Sequence, residues 1–506
     1  MDGTAYAPAD NRGLQIEEPL IFEIGAAGRT GVDLPDPPPH KDRLGGLRRG
    51  APIGLPGLSE PQVVRHYTRL SQKNYAIDAG IYPLGSCTMK HNPRLNEALA
   101  RLPGFSQLHP LQPESTVQGA LALMDELARW LKTLTGMPAI ALSPAAGAHG
   151  ELCGTMVIRA ALEARGDARK VVLVPDSAHG TNPATAAMCG YSVESIPSNE
   201  RGRVDIAALK QRLGADVAAF MLTNPSTCGL FEDEIVEQAR AVHGAGAFFY
   251  CDGANFNAIA GRVRPGDLGI DCMHLNLHKT FSTPHGGGGP GSGPVVLSDA
   301  LAPFAPLPWL VHGAEGFHLV EQPAGEAEKS IGRLKSFHGQ FGMFVRALAY
   351  MMSHGADGVR QASEDAVLAA NYVRARLEDI MSLPFAGPCM HEVLFDDAFL
   401  KDTGVTTLDF AKAMIDAGMH PMTMYFPLVV HGAFLIEPTE SESKHSLDRF
   451  VALMRDLVGK AKAGGGGMFS AAPRFAPRRR FDETEAARHP ILRWKSPEQA
   501  TPIAAE

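Results

Sequence analysis

A lysine and an aspartate, each following a short apolar run typical of a buried strand, are the residues best suited to chemistry. Lys279 comes after the run at 273–277 and before a glycine-rich stretch at 286–289. A lysine amine beside backbone that a ligand can approach closely suits a Schiff base with an aldehyde. An isolated His-Lys pair is far more often a surface feature, so this interpretation depends on its surroundings.

Asp252 follows the apolar run at 247–251, upstream of Lys279 in the chain. If both runs are strands of one sheet, the carboxylate lies at the same sheet edge as the amine. A carboxylate there can keep the nitrogen of a pyridine ring protonated, and that charge makes the ring an electron sink for a carbanion. An Asp-Gly pair after a strand is more often only a turn. Together, however, Asp252 and Lys279 predict a site for pyridoxal 5′-phosphate.

A stretch of small residues at 143–150 precedes a predicted helix that begins at Glu151. A helix start offers unpaired N–H groups and the positive end of the helix dipole to a phosphate. We therefore predict that Gly147, Ala148 and His149 bind the cofactor phosphate. A plain structural turn is the more frequent explanation of such a stretch taken alone.

Three further polar segments also follow predicted strands. His179 and Thr181 come after the run at 171–174, and His179 could lie flat on the cofactor ring and take part in catalysis, although a lone histidine is more often a hydrogen-bonded loop residue. Asn224 could reach the phenolic oxygen of the ring, and Thr181, Asn255 and His278 are predicted to contact the cofactor. The order of these segments along one presumed sheet supports the site more than any single residue does.

The alternation of apolar runs with helical patterns predicts an α/β fold with a mainly parallel sheet, whose ligands gather at the carboxyl ends of the strands. The first regular element is a helix that opens with a Ser-x-x-Gln capping box at 115–118 and ends near Gly136. Another helix is predicted at 232–243, between two strands. This large, cofactor-binding domain is predicted to span residues 111–340.

The pattern changes near residue 340, where helices at 360–380 and 407–417 accompany strands at 391–395 and 434–437. A smaller α+β C-terminal domain is predicted for residues 341–463. Frequent Pro and Gly predict an irregular, extended N-terminal arm over residues 1–110, which needs another surface such as a partner subunit. Residues 464–506 are predicted to form a wrapped or flexible C-terminal tail.

Composition points away from several classes of protein. The 506 residues are 45% hydrophobic and 20% charged, with a formal net charge of −8, which does not suggest a nucleic-acid-binding protein. Seven scattered cysteines without a Cys-x-x-Cys pair indicate neither a disulfide framework nor a thiolate zinc site. No apolar stretch is long enough to span a bilayer, so we expect a soluble cytoplasmic protein that binds no membrane.

The sequence resembles the glycine dehydrogenase (decarboxylating) family, the P-protein of the glycine cleavage system, and in particular subunit 2 of its two-subunit bacterial form. The resemblance is carried by the stretches at 65–74, 82–90, 112–119, 274–289, 425–427 and 437–440. Of these, the segment around Lys279 and the Gly-Ser-Cys-Thr-Met-Lys motif at 85–90 are the most specific.

The resemblance implies a fold-type-I architecture of pyridoxal-phosphate enzymes, with the cofactor on Lys279. It also implies decarboxylation of glycine and transfer of the aminomethyl group to the lipoyl arm of the H-protein, an oxidoreductase reaction of glycine catabolism. The single-chain form of this family is about twice as long, so glycine dehydrogenase subunit 1 is the implied partner, in a heterotetramer with two copies of each subunit.

Weaker features leave alternatives open. Arg333 is a candidate for binding a substrate carboxylate, although most arginines face solvent. The loop at 286–289 could line a channel for the lipoyl arm or only clear space beside Lys279. His274, His278 and His285 share no helical face, so no metal site is predicted. Another pyridoxal-phosphate amino-acid decarboxylase and a non-catalytic partner subunit are the competing functions.

Overall fold

A seven-stranded sheet forms the centre of the larger unit. The computed structural model describes residues 17–39, 41, 43–51, 53–285, 291–322, 329–336, 338 and 340–494. The strands are β1 Ala139–Ala141, β2 Val171–Pro175, β3 Ser192–Ile196, β4 Val217–Thr223, β5 Phe248–Gly253, β6 Cys272–Leu275 and β7 Val295–Leu297. Their order is β1-β7-β6-β5-β4-β2-β3, and β7 alone runs antiparallel to both of its neighbours. The expected mainly parallel α/β sheet is confirmed.

Every residue of β2, β4, β5 and β6 is buried, as expected of parallel strands covered on both faces. The helices are α1 Ile21–Ile24, α2 Glu60–Lys73, α3 Arg94–Ala100, α4 Pro103–Ser106, α5 Gln118–Thr135, α6 Gly147–Ala164, α7 Thr181–Met188, α8 Ile206–Arg212, α9 Ile235–Gly244, α10 Leu277–Thr280, α11 Phe341–Leu377, α12 Thr407–Asp416, α13 Lys444–Lys462, α14 Gly466–Ala471 and α15 Glu483–Arg488.

Helix α5 confirms the predicted amphipathic helix, but its capping box is wrong. Residues Glu114–Thr116 form a 3-10 turn, and the helix starts at Gln118 without a side-chain cap. The Gln118 amide is used elsewhere: it donates to the carbonyl of Phe317 and accepts from the N–H of the same residue, both at 2.8 Å. A contact with the hairpin β8 Trp309–Gly313 and β9 Gly316–Val320 therefore replaces the local cap. Gly136 ends the helix in the left-handed region, with φ of 70°.

A second sheet of three strands forms the smaller unit. Its strands are β10 Val393–Phe395, β11 Thr423–Met424 and β12 Phe434–Ile436, in the antiparallel order β10-β12-β11. The second core contains the fully buried rings of Phe410, Phe434 and Phe450. Helix α11 joins the two cores, and Gly355 interrupts it with φ of 63°, a conformation that favours glycine.

The arm and the tail are more ordered than the sequence suggested. Helix α2 and the short helices α3 and α4 lie in the region expected to be irregular, so that expectation is wrong there. In the tail, Phe469 is fully buried in the second core, which therefore extends past residue 463. Among the described helices, none combines the length and the apolar character that crossing a bilayer requires.

Candidate active site

The carboxyl ends of β2, β4, β5 and β6 bring most of the predicted residues to one edge of the large sheet. Asp252 pairs in register with Thr223 of β4 on one side and with His274 of β6 on the other. Lys279 lies in α10, a single helical turn directly after β6. Parallel strands point their carboxyl ends to the same edge, so residues far apart in the chain meet there.

The Lys279 amine contacts a loop from the N-terminal region. Its Nζ donates to the carbonyl oxygen of Ser86 at 2.7 Å. Ser86 and Thr88 both have positive φ, 62° and 50°, which is unusual for residues with side chains and indicates a conformation imposed by surrounding contacts. The motif at 85–90 is therefore part of the site, and only its sequence resemblance had indicated this.

Asp252 is 3% exposed and lies in a network that favours its charged form. The N–H of Ala254 donates to Oδ1 at 2.9 Å, and Nδ2 of Asn182 donates to Oδ2 at 3.0 Å. Nε2 of His274 lies 3.2 Å from Oδ1, while Nδ1 of the same ring is 2.7 Å from the Tyr250 hydroxyl. Burial alone would raise the pKa of Asp252, but His274 and these hydrogen bonds outweigh it and lower the pKa.

A second buried carboxyl group, Glu151, lies beside Asp252 and was missed by the sequence analysis. Nδ2 of Asn182 donates to Oε2 of Glu151 at 2.7 Å, so one amide bridges both acids. Burial, and then the charge of Asp252, raise the pKa of Glu151 from 4.5 to about 8. Glu151 is consequently a neutral acid near pH 7. Its position, four residues after Gly147 in the same helix, was the only available signal, because residues four apart share a helical face.

Helix α6 begins at Gly147, earlier than the predicted start at Glu151. The N–H groups of Gly147, Ala148 and His149 therefore belong to the first helical turn, whose donors have no partner within the helix. Nδ1 of His149 accepts from the N–H of Ala145 at 3.0 Å, which orients the ring. A Cβ on Gly147 would lie 2.4 Å from Oδ1 of Asn276, so the turn lies directly against the segment leading to Lys279.

His179 lies at the mouth of the site. Its Nδ1 is 3.0 Å from the Thr181 hydroxyl and also accepts from the Thr181 N–H at 3.3 Å. The ring meets Phe426 edge to face, with the centroids 5.4 Å apart. Loss of hydration in the cleft lowers the pKa of His179, although Asp252 opposes that effect. The ring is therefore neutral near pH 7 and presents an exposed face.

Asn224 and Asn255 each use only part of their hydrogen-bonding capacity. Oδ1 of Asn224 accepts from the N–H of Glu232 at 3.1 Å, and Nδ2 of Asn255 donates to the carbonyl of Pro225 at 3.0 Å. The other polar atom of each amide is buried and has no hydrogen-bond partner in the part of the chain that the structure describes. Buried polar groups are rarely left unpaired, so these atoms are available to a bound polar group.

The remaining predicted residues lie near the site or outside it. Burial, and then the neighbouring His285 at a ring distance of 5.1 Å, lower the pKa of His278 to about 3, so that ring is neutral. Arg333 is not brought to Lys279: its guanidinium pairs with Glu321, with Nε 3.0 Å from Oε2, and donates to the carbonyl of Ser336. The predicted channel loop at 286–289 lies outside the described residues.

Comparison with known proteins identifies the family. A protein of Caulobacter vibrioides named "Probable glycine dehydrogenase (decarboxylating) subunit 2" is 69% identical over 98% of this chain and 95% of its own length. A protein of Desulforamulus reducens with the same name is 51% identical over 94% and 99%. The chain belongs to the family of glycine dehydrogenase (decarboxylating) subunit 2.

Family models and solved structures agree with this assignment. Residues 362–470 match the model described as glycine dehydrogenase, C-terminal domain, and residues 151–310 match aminotransferase class-V. A crystal structure titled as glycine decarboxylase (P-protein) of the glycine cleavage system superposes with a TM-score of 0.69 and 23% identity. The match covers 82% of this chain and 93% of the other, and together with the aminotransferase class-V match it shows the fold-type-I architecture.

Three glutamates bind the loop at 85–90 and link it to the smaller unit. Glu392 accepts from the N–H of Ser86 at 2.7 Å, and Glu437 accepts from the N–H of Thr88 at 2.8 Å. Lys90 donates to Glu440 at 2.5 Å, and Glu440 holds the pKa of this buried lysine at about 12 against the effect of burial. These contacts join residues that are more than 300 positions apart. They leave no local pattern in the sequence, so the sequence analysis could not find them.

Replacing Glu151 by glutamine tests whether this acid is neutral. Because folding raises its pKa from 4.5 to about 8, the stability tied to its protonated form is complete below pH 4.5 and is lost as the pH rises through about 8. Without cofactor, the melting temperature of Glu151→Gln should therefore rise progressively above that of the parent chain between about pH 4.5 and about pH 8, with a constant difference at higher pH. Parallel melting curves for the two proteins would contradict this assignment.

Replacing Gly147 by alanine tests the predicted phosphate-binding turn at 147–149. The added Cβ would lie 2.4 Å from Oδ1 and 3.2 Å from Cγ of Asn276, so the helix start or Asn276 must move. We expect Gly147→Ala to weaken binding of pyridoxal phosphate by at least about tenfold, measured by equilibrium titration, because first-turn N–H groups must lie within hydrogen-bonding distance of the phosphate. Gly119→Ala is the matched control, since a Cβ there meets nothing within 4 Å.

Proposed function

We propose that this chain carries pyridoxal 5′-phosphate and decarboxylates glycine, with transfer of the aminomethyl group to the lipoyl arm of an H-protein. The relatives at 69% and 51% identity are named glycine dehydrogenase (decarboxylating) subunit 2, which supports this reaction. The single observation that carries the proposal is the presence of Lys279 and the ionised Asp252 at one sheet edge, with the start of α6 beside them.

The chemistry of the residues fits the cofactor. Lys279 would hold the aldehyde carbon, Asp252 the ring nitrogen, and the first turn of α6 the phosphate. The unpaired Nδ2 of Asn224 and Oδ1 of Asn255 are buried atoms that lack a partner until a polar group binds. When bound, the cofactor supplies a ring that accepts the electron pair released as carbon dioxide leaves the substrate.

The protein's own groups control charge and protons around this ring. Asp252, held ionised by His274 and Asn182, would keep a proton on the ring nitrogen. Glu151 remains neutral beside it, so the pocket presents one negative charge and not two. Lys279 would accept and return protons at Nζ as glycine replaces it at the cofactor. His179, neutral in the cleft, would cover one face of the ring.

We propose that a second polypeptide, glycine dehydrogenase subunit 1, completes the enzyme as a heterotetramer of two copies of each chain. The relatives' designation as subunit 2 supports a partner. The arm before α2 supports it too, because Leu34, Leu47 and Leu55 are 76%, 87% and 75% exposed. Exposed apolar side chains this close together in the chain are typical of a surface that another protein covers.

Exchange of labelled carbon dioxide into the carboxyl group of glycine tests the proposed function. The chain should catalyse this exchange when mixed with subunit 1, pyridoxal phosphate and lipoylated H-protein, and omission of any one should abolish it. Exchange that is independent of H-protein would instead support an amino-acid decarboxylase without a lipoyl partner.

Borohydride reduction of the loaded chain, followed by peptide mapping, distinguishes a catalytic from a non-catalytic subunit. We expect a reduced cofactor adduct on Lys279. Stoichiometric adduct formation only on subunit 1 would show that this chain lends surface to an active partner.

A further inference from the structure

Two fully buried carboxyl groups, those of Glu392 and Glu437, lie together beside the loop at 85–90, which also contacts Lys279. Both residues are 0% exposed. With His391 they form a group whose nearest ligand atoms all lie within 4.8 Å of one another. Two carboxylates this close in a water-free interior repel each other strongly, so they do not both ionise near neutral pH.

The hydrogen-bond donors around the two acids are unequal. Glu437 accepts from the Thr88 N–H at 2.8 Å, from the Thr88 hydroxyl at 2.6 Å and from Nδ2 of Asn257 at 3.3 Å. Glu392 accepts one strong bond, from the Ser86 N–H to Oε2 at 2.7 Å, and only long contacts from the Ser86 hydroxyl. Donors stabilise the charged form of a carboxyl group, so the charge belongs on Glu437.

His391 does not take the proton in place of Glu392. Its ring is 0% exposed and neither nitrogen has a hydrogen-bond partner among the described residues. Nε2 lies 3.8 Å from Oε1 of Glu437 and 4.0 Å from Oε1 of Glu392, too far for a hydrogen bond. An imidazolium here would bury a charge with two unpaired donors, and burial accordingly lowers the pKa of His391.

We infer that Glu392 and Glu437 share a single proton, held on Oε1 of Glu392, and that this pair positions the Ser86 carbonyl that receives the Lys279 amine. Residue Ser86 is the link, because its N–H donates to Glu392 and its carbonyl, on the other side of its Cα, accepts from Lys279. With Glu392 neutral and Glu437 charged, the pair places a single negative charge near the Lys279 amine. Burial, and then the charge of Glu437, raise the pKa of Glu392 well above its usual range, in agreement.

Other titratable groups near the pair do not change this balance. Those that interact electrostatically with Glu392 or Glu437 are Lys279, His285, His391, Cys87, Cys228 and Cys389. Burial raises the pKa of each of these thiols and lowers the pKa of both histidines, so they are neutral near pH 7. Glu440, the next acid along the chain, is neutralised by Lys90.

Infrared spectroscopy of the full chain without cofactor tests the shared proton, independently of the proposed function. Glu151→Gln serves as the parent, because the neutral Glu151 would add a second carboxylic acid band. At pH 7 we expect the parent to show the carbonyl stretch of a protonated carboxyl group and Glu392→Gln to lose it. In Glu437→Gln the band should disappear at a lower pH than in the parent, because the charge of Glu437 no longer opposes ionisation of Glu392. No band in the parent, or a band that persists in Glu392→Gln, would overturn the inference.

Labelling of Lys279 by an amine-specific reagent, followed by peptide mapping, tests the link to the amine. Glu392→Gln keeps the single charge and should leave the labelling rate at Lys279 unchanged. The double variant Glu392→Gln/Glu437→Gln removes the negative charge of the pair, and labelling of Lys279 should become several-fold faster. An equal rise in Glu392→Gln alone would contradict the inference, and a stoichiometric divalent cation in the purified chain would show a metal where we place a proton.

Discussion

Lys279→Ala is expected to bind no cofactor covalently and to lose glycine-dependent carbon dioxide exchange by at least about a thousandfold. Both the attachment point and the proton transfers at Nζ disappear with the side chain, and a positioned acid–base group alone accounts for roughly 10²- to 10⁴-fold in rate. The measurements are the visible absorbance of the loaded protein after gel filtration and the exchange rate in the presence of subunit 1 and H-protein.

Two variants show whether this loss is specific to the amine. Lys279→Arg keeps a positive charge that can donate to Ser86, but it cannot form the covalent bond, and it should be equally inactive. Lys170→Ala removes an exposed lysine just before β2 and should behave as the unaltered chain. Covalent cofactor in Lys279→Ala would refute the assignment of this lysine.

Asp252→Asn is expected to fold and to bind cofactor weakly, with exchange activity reduced by about two to three orders of magnitude. The amide keeps the shape of the side chain but removes the charge that pairs with a protonated ring nitrogen. Breaking a buried charge pair costs roughly 3–5 kcal/mol, and each factor of ten in rate corresponds to about 1.4 kcal/mol. Exchange rates and the absorbance of the bound cofactor report the two effects separately.

Asp357→Asn is the matched control, because the side chain of Asp357 is 92% exposed on α11. This variant should retain full activity and normal cofactor absorbance. An Asp252→Asn protein with unchanged exchange activity would mean that another group charges the ring, and the proposed role of Asp252 would then be wrong.

The sequence predicted the parts of the site that follow strands. Lys279 and Asp252 were found because an apolar run precedes each of them, and the structure places both at the carboxyl edge of the large sheet. The short antiparallel strands β1 and β7 have only three residues each, too few for a periodic pattern, and were not predicted. Helix α2 was missed because frequent Pro and Gly around it suggested an irregular segment.

The parts that could not be predicted depend on tertiary contacts. Glu151 becomes a neutral acid only because the fold brings it to Asp252. Arg333 has a side chain suited to binding a substrate carboxylate, but its guanidinium pairs with the carboxylate of Glu321 within the protein. The Ser-x-x-Gln pattern at 115–118 failed for the same reason, since Gln118 bonds to Phe317, 199 positions away. At Gln118 a distant partner overrode local propensity.

The attachment of the loop at 85–90 has a consequence for how the protein is made. Ser86 meets its carboxylate partner 306 positions later, and Lys90 meets Glu440 350 positions later. A chain emerging from the ribosome therefore completes the large sheet and exposes Lys279 well before the surroundings of that lysine exist. Such long-range closures are slow steps in folding. Nascent chains that stop short of residue 440 should therefore carry the lysine without its final environment.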